Sequence, residues 1–355
     1  MKISVAKRTS ISRKTSTFYF LLSIIFGLFA SSLIFAIKGV NPFYAIQRIF
    51  QGSFGSIYGL KETITKAIPL ILCGIGLVLA FRGKFWNIGA EGQLLMGATL
   101  ATWVALNLGK NGQPFFVISM MFLSGFVAGG LLGLIPAFLK VKLGINEVIS
   151  TLMLNYIVAN FVQFLVYGSW KGKTQYGFPY TDNFPQSAVI PLIRGSRIHY
   201  ITLILGVILA IFVYYFINKT KYGYEIRVIG ENPDAARYAG INFLKITLIM
   251  MFLSGGLAGL AGVGEVAGIH HHLTTPDQIS SGYGYTAIIV AWLAKLNPLG
   301  AIFSALFFGG ILVGGDVIQT SFGFPFATIN IFNGLILVFF MLGNFFIEYK
   351  IIVRR

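Results

Sequence analysis

Apolar residues run along this chain in long blocks separated by short polar stretches. A helix needs about 20 predominantly apolar residues to cross a bilayer. By that measure ten blocks are candidate spans: roughly 17–37, 64–81, 88–107, 115–139, 148–169, 200–217, 246–266, 284–294, 299–317 and 327–347. The eighth is too short to span alone. It is expected as a half-helix or a re-entrant piece joined to the GYG stretch before it. The fold class expected is all-α and polytopic, one transmembrane domain over residues 1–355 with no soluble domain at either end.

Three polar or mixed stretches predict structure of their own. In Asn41–Gly59, Phe43, Ile46, Ile49, Phe50 and Phe54 stand near helical spacing, which suits a helix lying in the membrane interface. Lys171–Tyr200 holds Pro179, Pro185 and Pro191 among aromatics and is expected to be an ordered outer loop. The third, within 218–245, contains GENPDAARYAG. Asn232 suits an N-cap and Pro233 the first helical position. Asp234 is negative at the positive end of the helix dipole. Ala235, Ala236 and Ala239 favour helix, and Gly240 suits a left-handed exit. A short rigid helix is expected there, with the alanines, Arg237 and Tyr238 forming a docking face.

Composition agrees with a membrane protein. Apolar residues make up 56% of the chain and charged residues only 11%, with a mean hydropathy of +0.78; soluble proteins carry about 25% charged residues. The net charge of +16 comes from residues dispersed among the loops, so it reads as topology rather than nucleic-acid binding. Five basic residues precede the first apolar block, which is too long for a cleaved signal and reads as an uncleaved span. With residues 1–16 in the cytoplasm, eighteen of the 27 Lys and Arg fall on the cytoplasmic side, residues 218–245 and the C-terminus included. Cys73 is the single cysteine and lies in an apolar block, which excludes a disulfide framework and a cysteine metal site.

Four places carry candidate chemistry. In FRGKFWNIGAEGQ, Asn87, Glu91 and Gln93 make a polar, glycine-rich start to a span. Glu91 there is either a functional acid or a helix cap. In the fifth span Glu147, Thr151 and Asn155 repeat every four residues on one face, as helix glue or as part of a path. Tyr156 and Asn160 fall off that stripe, and Asn160 reads as glue. Glu265 is a second acid inside a span, and GYGYTAII, with Tyr283 and Tyr285, opens the short eighth block. Paired breaks near 87–93 and 282–286 point to a midplane site in a transporter with inverted-repeat halves. His270, His271 and His272 are expected as solvated loop residues rather than a metal site. MFLSG recurs at 121–125 and 251–255 in spans of opposite sense, which would not pair, and reads as small-residue packing. The chain has no phosphate-cradling G-x-x-x-x-G-K-[ST] and no nucleophile–base grouping, so no catalytic residue is expected.

FWNIGAEGQ, NEVISTLMLNY, GENPDAARYAGI, GEVAG and GYGYTAIIVAWL with NPLGA, in this order over about residues 60–345, resemble the permease subunits of bacterial ABC importers. The resemblance is to the ribose/branched-chain amino-acid permease superfamily, and within it to the nucleoside (simple-sugar) uptake branch. Where many members carry an acid, this chain has Thr286. The resemblance implies a multi-pass protein of the cytoplasmic (inner) membrane with both termini cytoplasmic. It implies a separate ATPase subunit holding ATP and Mg, docked at Asn232–Gly240. It also implies an extracytoplasmic substrate-binding lipoprotein and a second permease, usually a related chain. The path would involve Asn87–Gln93 and Gly282–Thr286, and its aromatic and amide groups suit a neutral polar ring compound. Two other readings stand beside it: a secondary transporter using Glu91, Glu265 and Asp316 for protons or Na⁺, and a membrane-embedded enzyme, for which no catalytic grouping exists.

Overall fold

The computed structural model describes residues 2–7, 12–37, 39–173 and 176–354. Arg8, Lys38 and Arg355, counted in the charge balance, lie outside the described residues. In chain order the elements are β1 (Lys2–Lys7), α1 (Arg13–Ala36), α2 (Pro42–Phe54), α3 (Ile57–Arg82), α4 (Ala90–Leu108), α5 (Pro114–Leu143), α6 (Glu147–Tyr167) and α7 (Tyr200–Lys219). They continue with α8 (Lys221–Glu231), α9 (Pro233–Tyr238), α10 (Phe243–Glu265), α11 (Pro276–Ser280), α12 (Tyr283–Leu293), α13 (Pro298–Phe322), α14 (Phe326–Glu348) and β2 (Tyr349–Arg354). A π turn, Val266–His270, extends α10. Every expected span is helical. Among the described residues six helices are long and apolar enough to cross a membrane: α3, α5, α6, α7, α10 with its π turn, and α13. The eighth block is the short α12, a half-length helix.

The chain forms two compact units, Met1–Thr63 with Gly310–Arg355, and Ile64–Gly309. In the first, α1 packs on α14 through aromatic rings: Phe35 lies 5.1 Å from both Phe324 and Phe332. The expected interfacial helix is α2. Asn41 caps it, and Ala45, Ile49 and Ser53 turn inward while Phe43, Phe50 and Phe54 stay exposed. Ser53 donates to the carbonyls of Ile49 and Gly310, seating α2 against α13. β1 and β2 pair antiparallel, a small addition to an otherwise helical architecture.

The second unit is built on a glycine seam among α4, α5 and α10. A Cβ placed on Gly129 would fall 2.2 Å from the Gly255 carbonyl, and one on Gly259 would fall 2.1 Å from the Gly125 carbonyl. Gly97 of α4 meets Gly259 as closely. Without side chains at these positions the backbones touch, and packing replaces the hydrophobic drive that lipid cannot supply. The two MFLSG runs share this seam. They run in opposite senses, as expected, yet they do pack: Gly125 faces Gly259, and Gly255 faces Gly129. Small residues spaced by four on both helices make that antiparallel contact possible.

One end of this unit carries Arg82, Lys140 and α8; Lys140 pairs there with Glu147 at the start of α6. The expected outer loop, described over 171–173 and 176–199, packs at the other end. Thr181 donates to Leu273, Ile190 to Ala267, and Ser187 to Gly109. The histidine run differs from expectation. His270, His271 and His272 are half-buried, because the loop packs over them: Phe184 donates to the His271 carbonyl, and Tyr180 lies 4.8 Å from the His272 ring.

Replacing Gly129 with Leu is expected to overpack the seam and cost at least about 1–3 kcal/mol. A thermal melt of purified protein in detergent checks this. Gly334→Leu, where a Cβ meets nothing within 4 Å, serves as the tolerated control.

Candidate functional site

The site is made where the two chain breaks meet. α3 ends at Arg82, and the chain reverses through Gly83 and Lys84, the latter at φ 49°. It then runs without helix through Phe85–Ile88 before α4 begins at Ala90. Trp86 stacks on Trp292 at 5.6 Å, level with the far end of α12. From Trp292 back to Gly284, α12 rises about 12 Å at ~1.5 Å per residue. From Trp86 to Ala90 the chain is non-helical and turns twice: the Asn87 N–H donates to the Phe85 carbonyl, and Gly89 sits at φ −81° and ψ 2°. This path brings Glu91 to the start of α12.

That helix begins with unpaired N–H groups, and its N-cap, Gly282, has no side chain to offer them. Glu91 takes the role: its Oε2 accepts from the Gly284 N–H at 2.7 Å, and Ser280, Gly282 and Tyr285 stand close enough to stabilise the carboxyl group. The carboxyl group therefore faces the positive end of the α12 dipole. A Cβ on Gly284 would lie 2.3 Å from the Glu91 nitrogen, so the contact needs glycine. α12 is about 16 Å long, roughly half of a ~30 Å hydrocarbon core. The cap thus lies near mid-membrane.

Buried amides surround it. Asn87 Nδ2 donates to Gln93 Oε1 at 3.0 Å, and Gln93 Nε2 returns a bond to Asn87 Oδ1 at 3.2 Å. Asn87 also reaches Ser254 Oγ on α10 and accepts from the Gly89 N–H. Asn155 on α6 accepts from the Gly92 N–H at 2.8 Å and donates to the Ile88 carbonyl and the Tyr285 hydroxyl. Thr151 Oγ1 accepts from the Ile88 N–H and donates to the Glu147 carbonyl. The non-helical backbone of Phe85–Gly89 is thereby supplied with partners where water is absent.

Of the residues singled out from sequence, Asn87, Glu91, Gln93, Asn155, Tyr283 and Tyr285 come together here. Asn87, Gln93, Asn155 and Tyr283 are buried, and Tyr285 is half-exposed. Glu265 lies apart, at the end of α10 within electrostatic reach of Lys66 and Arg197. Nearby His199, just ahead of α7, is buried against Gly264 and Gly268, and burial pushes it down to about 4. Asp316 belongs to the other unit. Sequence reasoning missed Ser254 and Ser280, whose roles depend on α10 and α11 reaching this point. It also passed over an exposed polar face of α6, although the spacing of Tyr156, Asn160, Gln163 and Tyr167 was visible.

At the Arg82 end, Asn232 caps α9 as expected, accepting from Asp234 and Ala235, and Gly240 adopts φ 70°. Pro233, Asp234, Ala235, Arg237, Tyr238 and Gly240 are exposed. Ala236 is not: it is fully buried, so it anchors α9 rather than presenting a face. α8, which the sequence reading did not separate, turns Ile226, Ile229 and Gly230 inward. A Cβ on Gly230 would lie 2.2 Å from the Arg82 carbonyl. Arg82 Nε in turn donates to the Leu296 carbonyl just beyond α12.

Residues 59–341 match the permease component of the branched-chain amino acid transport system. The chain belongs to this permease family. It is 31% identical over 341 residues to a glucose ABC transporter permease protein of Haloferax volcanii, covering 93% of this chain and 88% of that one. It is 32% identical over 323 residues to a guanosine ABC transporter permease protein of Bacillus subtilis, covering 90% and 91%. A second guanosine permease protein of the same bacterium is 31% identical over 263 residues, covering 70% and 79%. The protein is thus a multi-pass membrane permease, a transport subunit rather than an enzyme.

In this permease Glu91 holds a half-helix in place from a neighbouring helix. Glu91→Leu leaves buried N–H groups unpaired and is expected to cost about 1–3 kcal/mol, with loss of transport. Glu91→Gln keeps an acceptor and is expected to lose less. Thermal melts and uptake measured on both variants check the order; equal loss would assign the effect to charge alone.

Proposed function

We propose that this chain is the membrane subunit of an ATP-driven importer that carries nucleosides, purine nucleosides foremost. What carries the reading is the connection from α9 to mid-membrane. α9 sits on α8, α8 touches the Arg82 turn through Gly230, and that turn leads through Phe85–Ile88 to Glu91 and α12. A displacement at α9 reaches the start of α12 through packed backbone, with no flexible linker between. The guanosine relatives support the solute class. The glucose relative supports the alternative, a simple sugar.

In this proposal α9 faces the cytoplasm of a bacterial cell, both termini lie on that side, and a separate ABC ATPase docks on Asp234, Ala235, Arg237 and Tyr238. That ATPase holds ATP and Mg; this chain binds no cofactor. A binding lipoprotein delivers solute at the opposite end. The second permease is a related chain, a reading supported by two different guanosine permeases of one bacterium matching this sequence. Tyr285, half-exposed beside the engaged amides of Asn87, Gln93 and Asn155, suits stacking on a neutral ring compound.

Uptake of labelled guanosine, competed by unlabelled nucleosides or by ribose and glucose, decides between the solute classes. An ATPase is expected to co-purify with the chain, and uptake that persists without one would overturn the reading. Tyr238, 94% exposed, is expected to act as an anchor for that partner. Its replacement by Ala should weaken ATPase association by about 2 kcal/mol without lowering the melting temperature. Gly230→Val should leave the ATPase bound but abolish coupled uptake, measured as ATP hydrolysed per solute transported.

A further inference from the structure

α6 carries a stripe whose character changes at mid-membrane. Ile149, Leu152, Tyr156, Asn160, Gln163 and Tyr167 follow one another at spacings of three and four, so they share one face. Leu152 is partly exposed, and the rest are exposed. The first two are apolar and the last four polar. The change falls beside Asn155, which binds Gly92 and Tyr285 and so marks the level of the Glu91 cap. From Tyr156 to Tyr167 the polar part runs about 16 Å, toward the end remote from α9.

A second exposed flank of α6 is apolar throughout: Met153, Ile157, Phe161 and Phe164. That flank suits lipid. The polar flank lies on the Tyr285 side, and α11 packs beside α6 there with Asp277 and Gln278 exposed. Asn160 Nδ2 is bonded to the Tyr156 carbonyl at 2.8 Å, but the other polar atoms of these amides and phenols, facing hydrocarbon, would lose the hydrogen bonds that water supplies. A close helix–helix seam is enriched in small residues, with Asn and Gln bonding across it. This stripe is bulky, and its polarity stops at the level where α12 begins.

We propose that the Tyr156–Asn160–Gln163–Tyr167 face, with Tyr285, lines the water-filled half of the solute path remote from α9, and that Ile149 and Leu152 form its dry, apolar gate. The proposal rests on the permease reading and gives it a specific surface. The phenol rings offer faces for a flat ring, and the two amides offer donors and acceptors to its edge. A neutral nucleoside fits both.

Single cysteines test it in cells expressing the complete transporter. The native Cys73 is buried and contributes little background. The probe is a membrane-impermeant, charged methanethiosulfonate. Cysteine at 160 or 163 is expected to react about tenfold or more faster than cysteine at 164 on the apolar flank, since thiols in apolar surroundings stay protonated. Cysteine at 149 should stay unreactive in the resting transporter, and guanosine should slow labelling at 160 and 163. Reaction at 160 and 163 no faster than at 164 would overturn the proposal, whether lipid or a second permease covers the face. Rapid reaction at 149 would overturn the gate. If wild-type cells take up no nucleoside yet 160 and 163 still label, the path stands and the solute assignment falls. As a second readout, Asn160→Leu should raise KM for uptake while leaving kcat and ATPase association near wild type; an unchanged KM would argue against contact with solute.

Discussion

A helix that starts in mid-membrane presents unpaired N–H groups to a medium that offers them nothing. Water is absent, and each unsatisfied group costs free energy of its own. α12 meets this constraint through Glu91, whose carboxylate accepts the Gly284 N–H at 2.7 Å. The charge is expensive in lipid and the open helix end is expensive too, but together each supplies what the other lacks. The geometry around them follows. Phe85–Ile88 must leave the helical path to bring Glu91 to the start of α12, and Gly284 must lack a side chain to let it in. α4 must begin one residue before Glu91 so that its backbone points across.

Non-helical backbone inside a membrane needs its own partners, and the glycine seam lets them gather. Because α5 and α10 approach backbone to backbone through Gly125, Gly129, Gly255 and Gly259, Ser254 comes close enough to bond Asn87. Asn87 and Gln93 then satisfy one another, and Asn155 completes the set from α6. These amides carry structure by being fully engaged. The exposed polar side chains lie one turn along, on the outer face of α6, with half-exposed Tyr285 of α12 nearby.

The same arrangement explains how a short surface helix can matter to a site at the far end of α12, itself about 16 Å long. α9 is rigid because Asn232 and Gly240 close its two ends, and buried Ala236 fixes it to its neighbours. α8 meets the Arg82 turn through a glycine with no slack, and Arg82 is bonded to the chain beyond α12. Both ends of the half-helix are therefore tied to the Arg82–Glu91 segment, one by the Arg82 guanidinium on the Leu296 carbonyl and one by the Glu91 carboxylate on the Gly284 N–H.

Much of this was legible in the sequence. Apolar block length alone placed the helices, because the bilayer sets that length regardless of partners. The α9 cap was legible because capping is local: Asn232, Pro233 and Gly240 act within one turn. The paired glycine-rich breaks were legible as breaks. What tertiary structure alone decided is who meets whom. Glu91 reads equally as a functional acid or a cap until α12 is seen to start against it. Ala236 reads as a docking residue until its side chain is seen to face inward. The Glu147–Thr151–Asn155 stripe was found by its spacing, but the exposed stripe beside it was passed over, since spacing shows that residues share a face and not what the face meets. Periodicity and caps are properties of a few consecutive residues; burial and hydrogen-bond partners come from segments far apart in the chain, and only their packing fixes them.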